Sequence, residues 1–569
     1  MKSYLNSISV FLMILFCSAA LSAQDRPVTV LVQPFVNTGS AEFSWIAAGM
    51  TDTVISDLAR IKSIQVISDS DRVRVLKELE LAQTGMLDEA AAQSVGKLLG
   101  ADLIFTGSYL AAGGNIRVNA RIIRVTSGKI EAVVKSDGTI SDIFALQDSI
   151  VIKLSSEASG LTIEGRSPFR ITDADKTVIA QRPKPDISAY QLYAKGLELK
   201  PKDPAGALGL FKKALDIEPA YDDALMQAGY VSGAVLNRFD DGIRYLEQAE
   251  KIFTARKDTA GMKYAELLNS LGLVYAGKGD IQKARSLYQR AGTVLDAAGK
   301  GSSRQAAVIY NNTGITWWNA GDGDKAAENY LKAKNIYEKL SLEKSTDYGD
   351  CINNIGIIYL GKGRFDDALD CFMKDKAIED ALGLSGTRGY ASVMNNIGLV
   401  HWNKKDYSRA LEFFNADKRI KEKLGLAKTS EYAALEMNIG NVYNRQNDAE
   451  RALEHYLSSK EIREELGLSQ SPGYAALMSN IGVLYFSQGN NEKAFEYYLK
   501  DKDIKEALKL TSTTGYAQVL YNLGLLYERK NLRKLAGEHF RKSFDVYEKA
   551  GYSGDAKNKA LEAARQLGY

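Results

Sequence analysis

Between Tyr264 and Lys549 the apolar and polar positions return with a fixed step of 42 residues. Gly272, Gly314, Gly356, Gly398, Gly440, Gly482 and Gly524 form one column, and Ala284, Ala326, Ala368, Ala410, Ala452, Ala494 and Ala536 form a second. An aromatic column runs through Tyr288, Tyr330, Phe372, Phe414, Tyr456, Tyr498 and Phe540. A fourth, two residues before each glycine after the first, is Asn312, Asn354, Asn396, Asn438, Asn480 and Asn522. Fixed spacing of this length is the signature of stacked supersecondary units.

Each period predicts a helical hairpin. In the fifth, Tyr432, Leu435, Ile439, Val442 and Tyr443 make one apolar stripe at helical spacing, and Ala452, Leu453, Tyr456, Leu457 and Ile462 make another. Asn447 and Asp448 supply the turn. Gly440 and Ala452 are expected on facing sides of the hairpin, where larger side chains would separate the helices. One hairpin cannot bury both its faces, so stability comes from stacking neighbours.

Residues 27–160 have another texture. Val28–Phe35 is a β-rich run, and Ile46, Met50, Val54, Leu58 and Ile61 follow at helical spacing. Further strands are expected at Ile64–Ile67 and Leu103–Gly107, and a hairpin at Ile116–Val125 and Lys129–Lys135. Helices are expected at Ser70–Leu79, Asp88–Leu99 and Ile143–Ala158. Strands alternating with helices, then a hairpin, predict a small mixed-sheet α/β sandwich. Residues 161–187 read as a linker broken by Pro168, Pro183 and Pro185, with one short strand at Thr177–Ala180. Residues 188–258 hold irregular early repeats, 259–552 the seven regular ones, and 553–569 a capping helix over Asp555–Leu567.

Met1–Ala23 reads as a secretory signal peptide: Lys2, an apolar core at Val10–Cys17, then small residues. Lipidation at Cys17 competes with cleavage after Ala23, but a lipobox wants a small residue before the cysteine and Phe16 is large. The apolar run is short for a bilayer span. Export to the periplasm or an outer-membrane-associated location is therefore expected, with no transmembrane span after cleavage. The 73 basic and 70 acidic residues leave no nucleic-acid footprint. Cys351 and Cys371 are read as buried free thiols on the two helices of one repeat.

No catalytic motif stands out. His401, His455 and His539 fall in different columns and read as packed or surface residues. The segments 277–279 and 361–363 carry glycine and lysine but lack phosphate-loop spacing. No Cys/His cluster has zinc-ligand spacing, so no metal or cofactor is expected. An enzyme would need an acid/base cluster converging in a polar cleft between the α/β region and the first repeats. The carboxylates Glu461, Glu464 and Glu465 read as a solvated face. The column Lys334, Lys376, Lys418, Lys460 and Lys502 reads as a solvated stripe balanced by Asp375, Asp417 and Asp501.

The small residues at Gly440 and Ala452, the aromatics at Tyr443 and Tyr456 and the two-helix unit resemble the tetratricopeptide repeat, in the longer form of kinesin light chains. Trp317, His401 and Gly537 depart from the pattern locally. The resemblance implies an all-α superhelical solenoid whose first helices line a concave groove. It also implies that the asparagine column faces that groove and grips a ligand backbone, since a primary amide donates and accepts together. The competing reading is that each amide ties neighbouring hairpins. Asn311, Asn353 and Asn395, one place earlier, belong to the same candidate site. So do Trp318, Trp402 and Phe486, which are anchors for a ligand or fillers between repeats. Segments such as Val30–Phe35, Gly100–Ile104 and Arg121–Gly128 resemble the amino-terminal domain of TolB and the core of the secretion lipoprotein CsgG. Together these resemblances imply a non-catalytic scaffold for a protein or peptide ligand, with a possible envelope partner. The alternative they imply is an accessory of an outer-membrane secretion or assembly machine.

Overall fold

The computed structural model describes residues 27–61, 63–67, 96, 99–181 and 183–569. The expected signal peptide, Cys17 and, apart from Gly96 and Leu99, the helices expected at 70–79 and 88–99 lie outside the described residues. The described residues form two compact units, one ending at Leu384 and one beginning at Ser385.

The first unit opens with a mixed sheet of β1 (Val28–Val32), β2 (Val36–Asn37), β3 (Ile64–Val66), β4 (Leu103–Ala112), β5 (Asn115–Arg124) and β6 (Ile130–Thr139). The strand order is β3-β1-β4-β5-β6, with β2 beside β4. β1 is parallel to β3 and β4, and β4-β5-β6 is an antiparallel meander. Every residue of β1 is buried, Thr29 among four aliphatic side chains, as a central parallel strand covered on both faces requires. β5 alternates buried and exposed positions, the mark of one covered face. Helix α1 (Trp45–Arg60) packs Trp45, Ile46, Met50, Val54 and Leu58 into the core, and α2 (Ile143–Glu157) closes it.

Two expectations need correction. β4 continues past Gly107 to Ala112. A Cβ at Gly107 would stand 2.5 Å from the Asn119 carbonyl oxygen and the Phe35 ring, so this glycine permits a close approach and does not end the strand. The turn lies at Gly113 and Gly114, both left-handed. The strand expected at Thr177–Ala180 is instead the end of helix α3 (Asp173–Ala180). The Thr172 hydroxyl accepts from the Asp175 N–H while the Asp175 carboxylate accepts from the Thr172 N–H, a complete capping box.

The repeats begin with α4 (Ile187–Leu199), α5 (Pro204–Ile217), α6 (Asp222–Tyr230), a π-helical turn at Val231–Val235, and α7 (Phe239–Ala255). Helix α8 (Met262–Lys278) opens the regular hairpins, which reach Ala381 in the first unit and run from Arg388 to Lys549 in the second, followed by a last helix at Asp555–Gln566. Boundaries follow the caps. Ser303, Ser345, Thr387, Thr429, Ser471 and Thr513 cap the first helices through their hydroxyls. Asp280, Asp322, Asp406, Asp448 and Asn490 cap second helices.

The columns have distinct jobs. A Cβ at Gly440 would stand 2.7 Å from the Tyr456 ring, and one at Gly482 2.6 Å from Tyr498. The glycine column therefore exists to seat the aromatic column. Successive hairpins are clasped by a tyrosine that donates to a glutamate at the end of the preceding second helix. Tyr348 reaches Glu338 at 3.0 Å, Tyr432 reaches Glu422 at 2.7 Å, Tyr474 reaches Glu464 at 2.6 Å and Tyr516 reaches Glu506 at 2.5 Å. Lys334, Lys460 and Lys502 pair with the same glutamates.

These lysines stay partly exposed and Glu464 exposed, as a solvated face requires, while they also join the clasps. The expected solvated place of the acids is overturned. Asp375, Asp417 and Asp501 are 2%, 0% and 0% exposed and lie inside the stack. Asp417 and Asp501 each accept from a lysine one turn on, Lys421 and Lys505, at 2.8 Å. Cys351 and Cys371 are free, as expected; burial pushes their thiols up to about 12 and about 11.

Candidate ligand groove and domain junction

Each first helix shows one half-exposed face. In the helix Arg304–Asn319 it carries Asn311, Asn312, Ile315 and Trp318, at the spacing of one helical stripe. In the first unit the Asn312 amide donates to Asn269 Oδ1 at 3.0 Å, and Asn354 donates to Asn311 Oδ1 at 3.0 Å. In the second unit Asn438 donates to Asn395 Oδ1 at 3.4 Å. The donor column thus meets the column one place earlier in the preceding hairpin. Where that column becomes Ser479 the pattern changes, and Asn522 accepts from Gln518 in its own helix at 3.0 Å. Asn480 donates instead to Asn441 at 2.9 Å. Asn353 and Asn396 are also engaged.

The inter-hairpin tie is therefore real for Asn312, Asn354, Asn438 and Asn480. It uses one N–H of each donor and leaves the other N–H and the carbonyl oxygen with capacity. All but Asn522 remain partly exposed.

The aromatics differ among themselves. Trp318 is 41% exposed. Trp402 is half-buried, 5.4 Å from Tyr407, with the Arg445 guanidinium 6.0 Å above its ring. Phe486 is half-buried beneath Arg529, at 3.8 Å. Sequence reasoning missed the aliphatic row beside the amides: Leu273, Ile315 and Ile357 in the first unit, Leu399, Val483 and Leu525 in the second. Ile315 and Val483 are 38% and 40% exposed. The signal was available, because every one of these residues follows a column glycine.

The histidines are packing residues. His401 stacks on Phe413 and His539 lies against Tyr527. His455 stacks on Tyr443 and bonds to buried Glu436 at 2.6 Å. Burial pushes the Glu436 carboxyl up, but His455 and Lys418 outweigh it and hold the group below the usual range.

A second polar site lies within the first unit, where α1 meets the early repeats. A small cavity there is lined by Asp52, Thr53, Arg60, Tyr193, Asp223 and Lys263, among others. Tyr193 donates to Asp52 at 2.9 Å. Lys263 pairs with Asp223 at 2.7 Å and Asp222 at 3.4 Å, and Arg256 pairs with Asp222 at 3.3 Å. Acids and bases do converge between the α/β region and the repeats, but they neutralise one another.

Tetratricopeptide repeat models match residues 305–374 and 431–507, 353–421, and 517–549. The repeats are tetratricopeptide repeats. A protein named putative adenylate cyclase 3, from Rhizobium meliloti (strain 1021), is 26% identical over 196 residues, 34% of this chain. The chain spans 30% of that relative's length. Among solved structures, BtubC from P. vanneervenii is 23% identical, with 41% of this chain and 92% of that one covered and a TM-score of 0.36. RapI is 15% identical, with 64% and 98% covered and a TM-score of 0.46. A Rap protein complexed with competence and sporulation factor is 14% identical, with 66% and 99% covered and a TM-score of 0.43. Among the described residues no helix is long and apolar enough to cross a membrane, and no group of metal-binding side chains assembles.

Proposed function

We propose that this protein is a non-catalytic scaffold that holds a protein or extended peptide along the half-exposed face of its tetratricopeptide first helices. The observation that carries the reading is the pairing of two rows on that face. Amides with unused donors and acceptors run beside aliphatic side chains, so a peptide backbone finds hydrogen bonds and its side chains find apolar contact. Trp318 supplies an exposed anchor, and Arg445 and Arg529 add positive charge near Trp402 and Phe486. The paired charges of the junction cavity favour a structural role for that site over catalysis. The apolar stretch Val10–Cys17 behind Lys2 supports export, which mass spectrometry of the processed amino terminus tests directly.

The binding test compares the mature chain with a variant carrying Asn354→Ala, Asn396→Ala and Asn438→Ala. Both are matched first for helical circular dichroism and melting temperature, because Asn354 and Asn438 also tie hairpins. Partners captured from envelope extract are then titrated by calorimetry. The expected result is at least a tenfold loss of affinity in the variant. Equal affinity would move the site away from the amide row and leave the asparagines as ties alone.

A further inference from the structure

The sheet of the α/β region ends on two unlike edges. β3 is three residues long and β6 is ten. Among the described residues β6 pairs with β5 alone. The direction of its backbone groups follows from the turn at Gly113 and Gly114. A two-residue loop with both residues left-handed closes on a mutually hydrogen-bonded pair, here Ala112 and Asn115. Successive residues of an antiparallel strand bond to opposite neighbours. Asn115, Arg117, Asn119 and Arg121 therefore bond to β4, while Ile116, Val118, Ala120 and Ile122 bond to β6. Their partners there are Gly138, Ser136, Val134 and Ala132. The Ile140 N–H, donating to the Gly114 carbonyl at 2.8 Å, keeps the same phase. The N–H and C=O groups of Val133, Lys135 and Asp137 thus point out of the sheet. Among the described residues no backbone bond from another element reaches them.

The side chains of these three residues share one face of the sheet. Val133 is 49% exposed. Asp137 stands opposite Arg117 and pairs with it at 2.6 Å. Lys135 is exposed and holds no ion pair among the described residues. A bulge opposite Ile122 and Ile123 sets Glu131 out of phase, where Arg124 and Lys129 hold it. From Ala132 onward the edge is regular, and it carries a cation and an anion one pleat apart.

We propose that β6 pairs antiparallel with β6 of a second copy of this chain, on a two-fold axis at Ser136, so that two sheets become one. In this register Lys135 of each copy stands opposite Asp137 of the other, and Val133 stands opposite Thr139. All of these are out-facing residues, so each pair can exchange backbone bonds. Asp137 then lies between its own Arg117 and the second copy's Lys135, and the charges alternate across the joint. The neighbouring registers are worse. An axis at Lys135 sets the two lysines against each other, and one at Asp137 sets the two aspartates together. An axis at Val133 or Val134 carries the pairing into the bulge. On the inner face Val134 meets Gly138 of the other copy. A Cβ at Gly138 would stand 3.5 Å from Leu146, which places α2 against this strand. The exposed or half-exposed residues of α2 include Ala145, Ser149 and Ser156, small side chains that leave room for the second copy's helix. The contact is isologous and small, so the dimer is concentration-dependent. It stands whether or not the amide row takes a ligand.

Sedimentation velocity of the full chain over a range of concentrations tests the pairing. The unsubstituted chain is expected to dimerise. Lys135→Asp and Asp137→Lys are each expected to weaken the dimer at least tenfold, because like charges then face each other on both sides of the axis. An equimolar mixture of the two variants is expected to regain it, since an edge with two aspartates meets an edge with two lysines. A monomer at every concentration overturns the proposal. So does a dimer that neither variant weakens, or a mixture no more associated than its components. If a charge variant fails to fold by circular dichroism, cysteine cross-linking decides. Ser136→Cys sits on the axis and is expected to form an intermolecular disulfide on mild oxidation, whereas Val133→Cys is not. Cross-linking of Val133→Cys, or none of Ser136→Cys, overturns the register.

Discussion

Tyr456→Ala is expected to destabilise the second unit by about 3–5 kcal/mol, the range for removing a buried aromatic side chain. The Tyr456 ring is 1% exposed and lies against Gly440, and its hydroxyl donates to Asn441 Oδ1 at 2.8 Å. Asn441 also accepts from Asn480, so the tyrosine links the packing inside one hairpin to the tie with the next. Tyr456→Phe keeps the ring and loses only the hydroxyl, for about 1 kcal/mol. Urea unfolding followed by helical circular dichroism on the three proteins gives the comparison. If the alanine and phenylalanine variants unfold at the same midpoint, the ring is not what holds the hairpin. Gly440 would then need another explanation.

The second large effect runs toward stability. Burial raises the Asp417 carboxyl to about 6 even though Lys421 lies 2.8 Å away. A carboxyl whose native pKa exceeds its unfolded value takes up a proton on folding. Its stabilising share is complete below about 4 and is lost as pH rises through about 6. The neighbouring hairpin solves the same position without an acid. There the Ser459 hydroxyl donates to the Ala433 carbonyl at 2.6 Å, and Arg463 donates to the Ser459 oxygen at 3.4 Å. Transplanting that pair as Asp417→Ser with Lys421→Arg is expected to stabilise the second unit by about 1–3 kcal/mol at pH 7.5, as replacing buried ion pairs often does. It is also expected to remove the decline between pH 4 and pH 6. Urea unfolding at pH 5 and pH 7.5 measures both. A double variant that is less stable than the parent at pH 7.5 would mean that the Asp417–Lys421 pair is net favourable.

The hairpins were legible because their periodicity is carried by residues with steric reasons to recur. Gly440, Ala452 and Tyr456 fit only one helix-to-helix distance, so their columns announce the fold. The meander was legible except for the second half of β4, because a glycine needed for close approach, Gly107, looks the same in sequence as a glycine that ends a strand. The helix at Asp173–Ala180 was hidden because Val178 and Ile179 suggest a strand, while the capping box of Thr172 and Asp175 decides for helix. The Asp375, Asp417 and Asp501 column was misread for a related reason. An acid next to a lysine, as in Asp375–Lys376, Asp417–Lys418 and Asp501–Lys502, looks like a solvated pair, and nothing local tells that the acid is buried between hairpins. The amide row was visible as a column, but its partners lie 43 residues away for Asn312, Asn354 and Asn438, one more than the period. That offset appears only when hairpins are stacked. The contact of α1 with the early repeats could not be read at all, because it joins Asp52 to Tyr193 across 141 residues with no recurring spacing to mark it.

The tyrosine–glutamate clasps have a consequence for how such a chain changes over time. Glu422, Glu464 and Glu506 each present the same group to the hairpin that follows, and Tyr432, Tyr474 and Tyr516 each answer in the same way. The joints are therefore interchangeable. Loss of residues 430–471, one whole period, would bring Tyr474 to Glu422 and Asn480 to Asn395, so both broken contacts would be remade with their own kind. Gain of a period would do the same in reverse. Within this part of the array, length can drift by whole hairpins without a new interface having to be invented, while a slip of a few residues between a clasp's glutamate and its tyrosine breaks that joint.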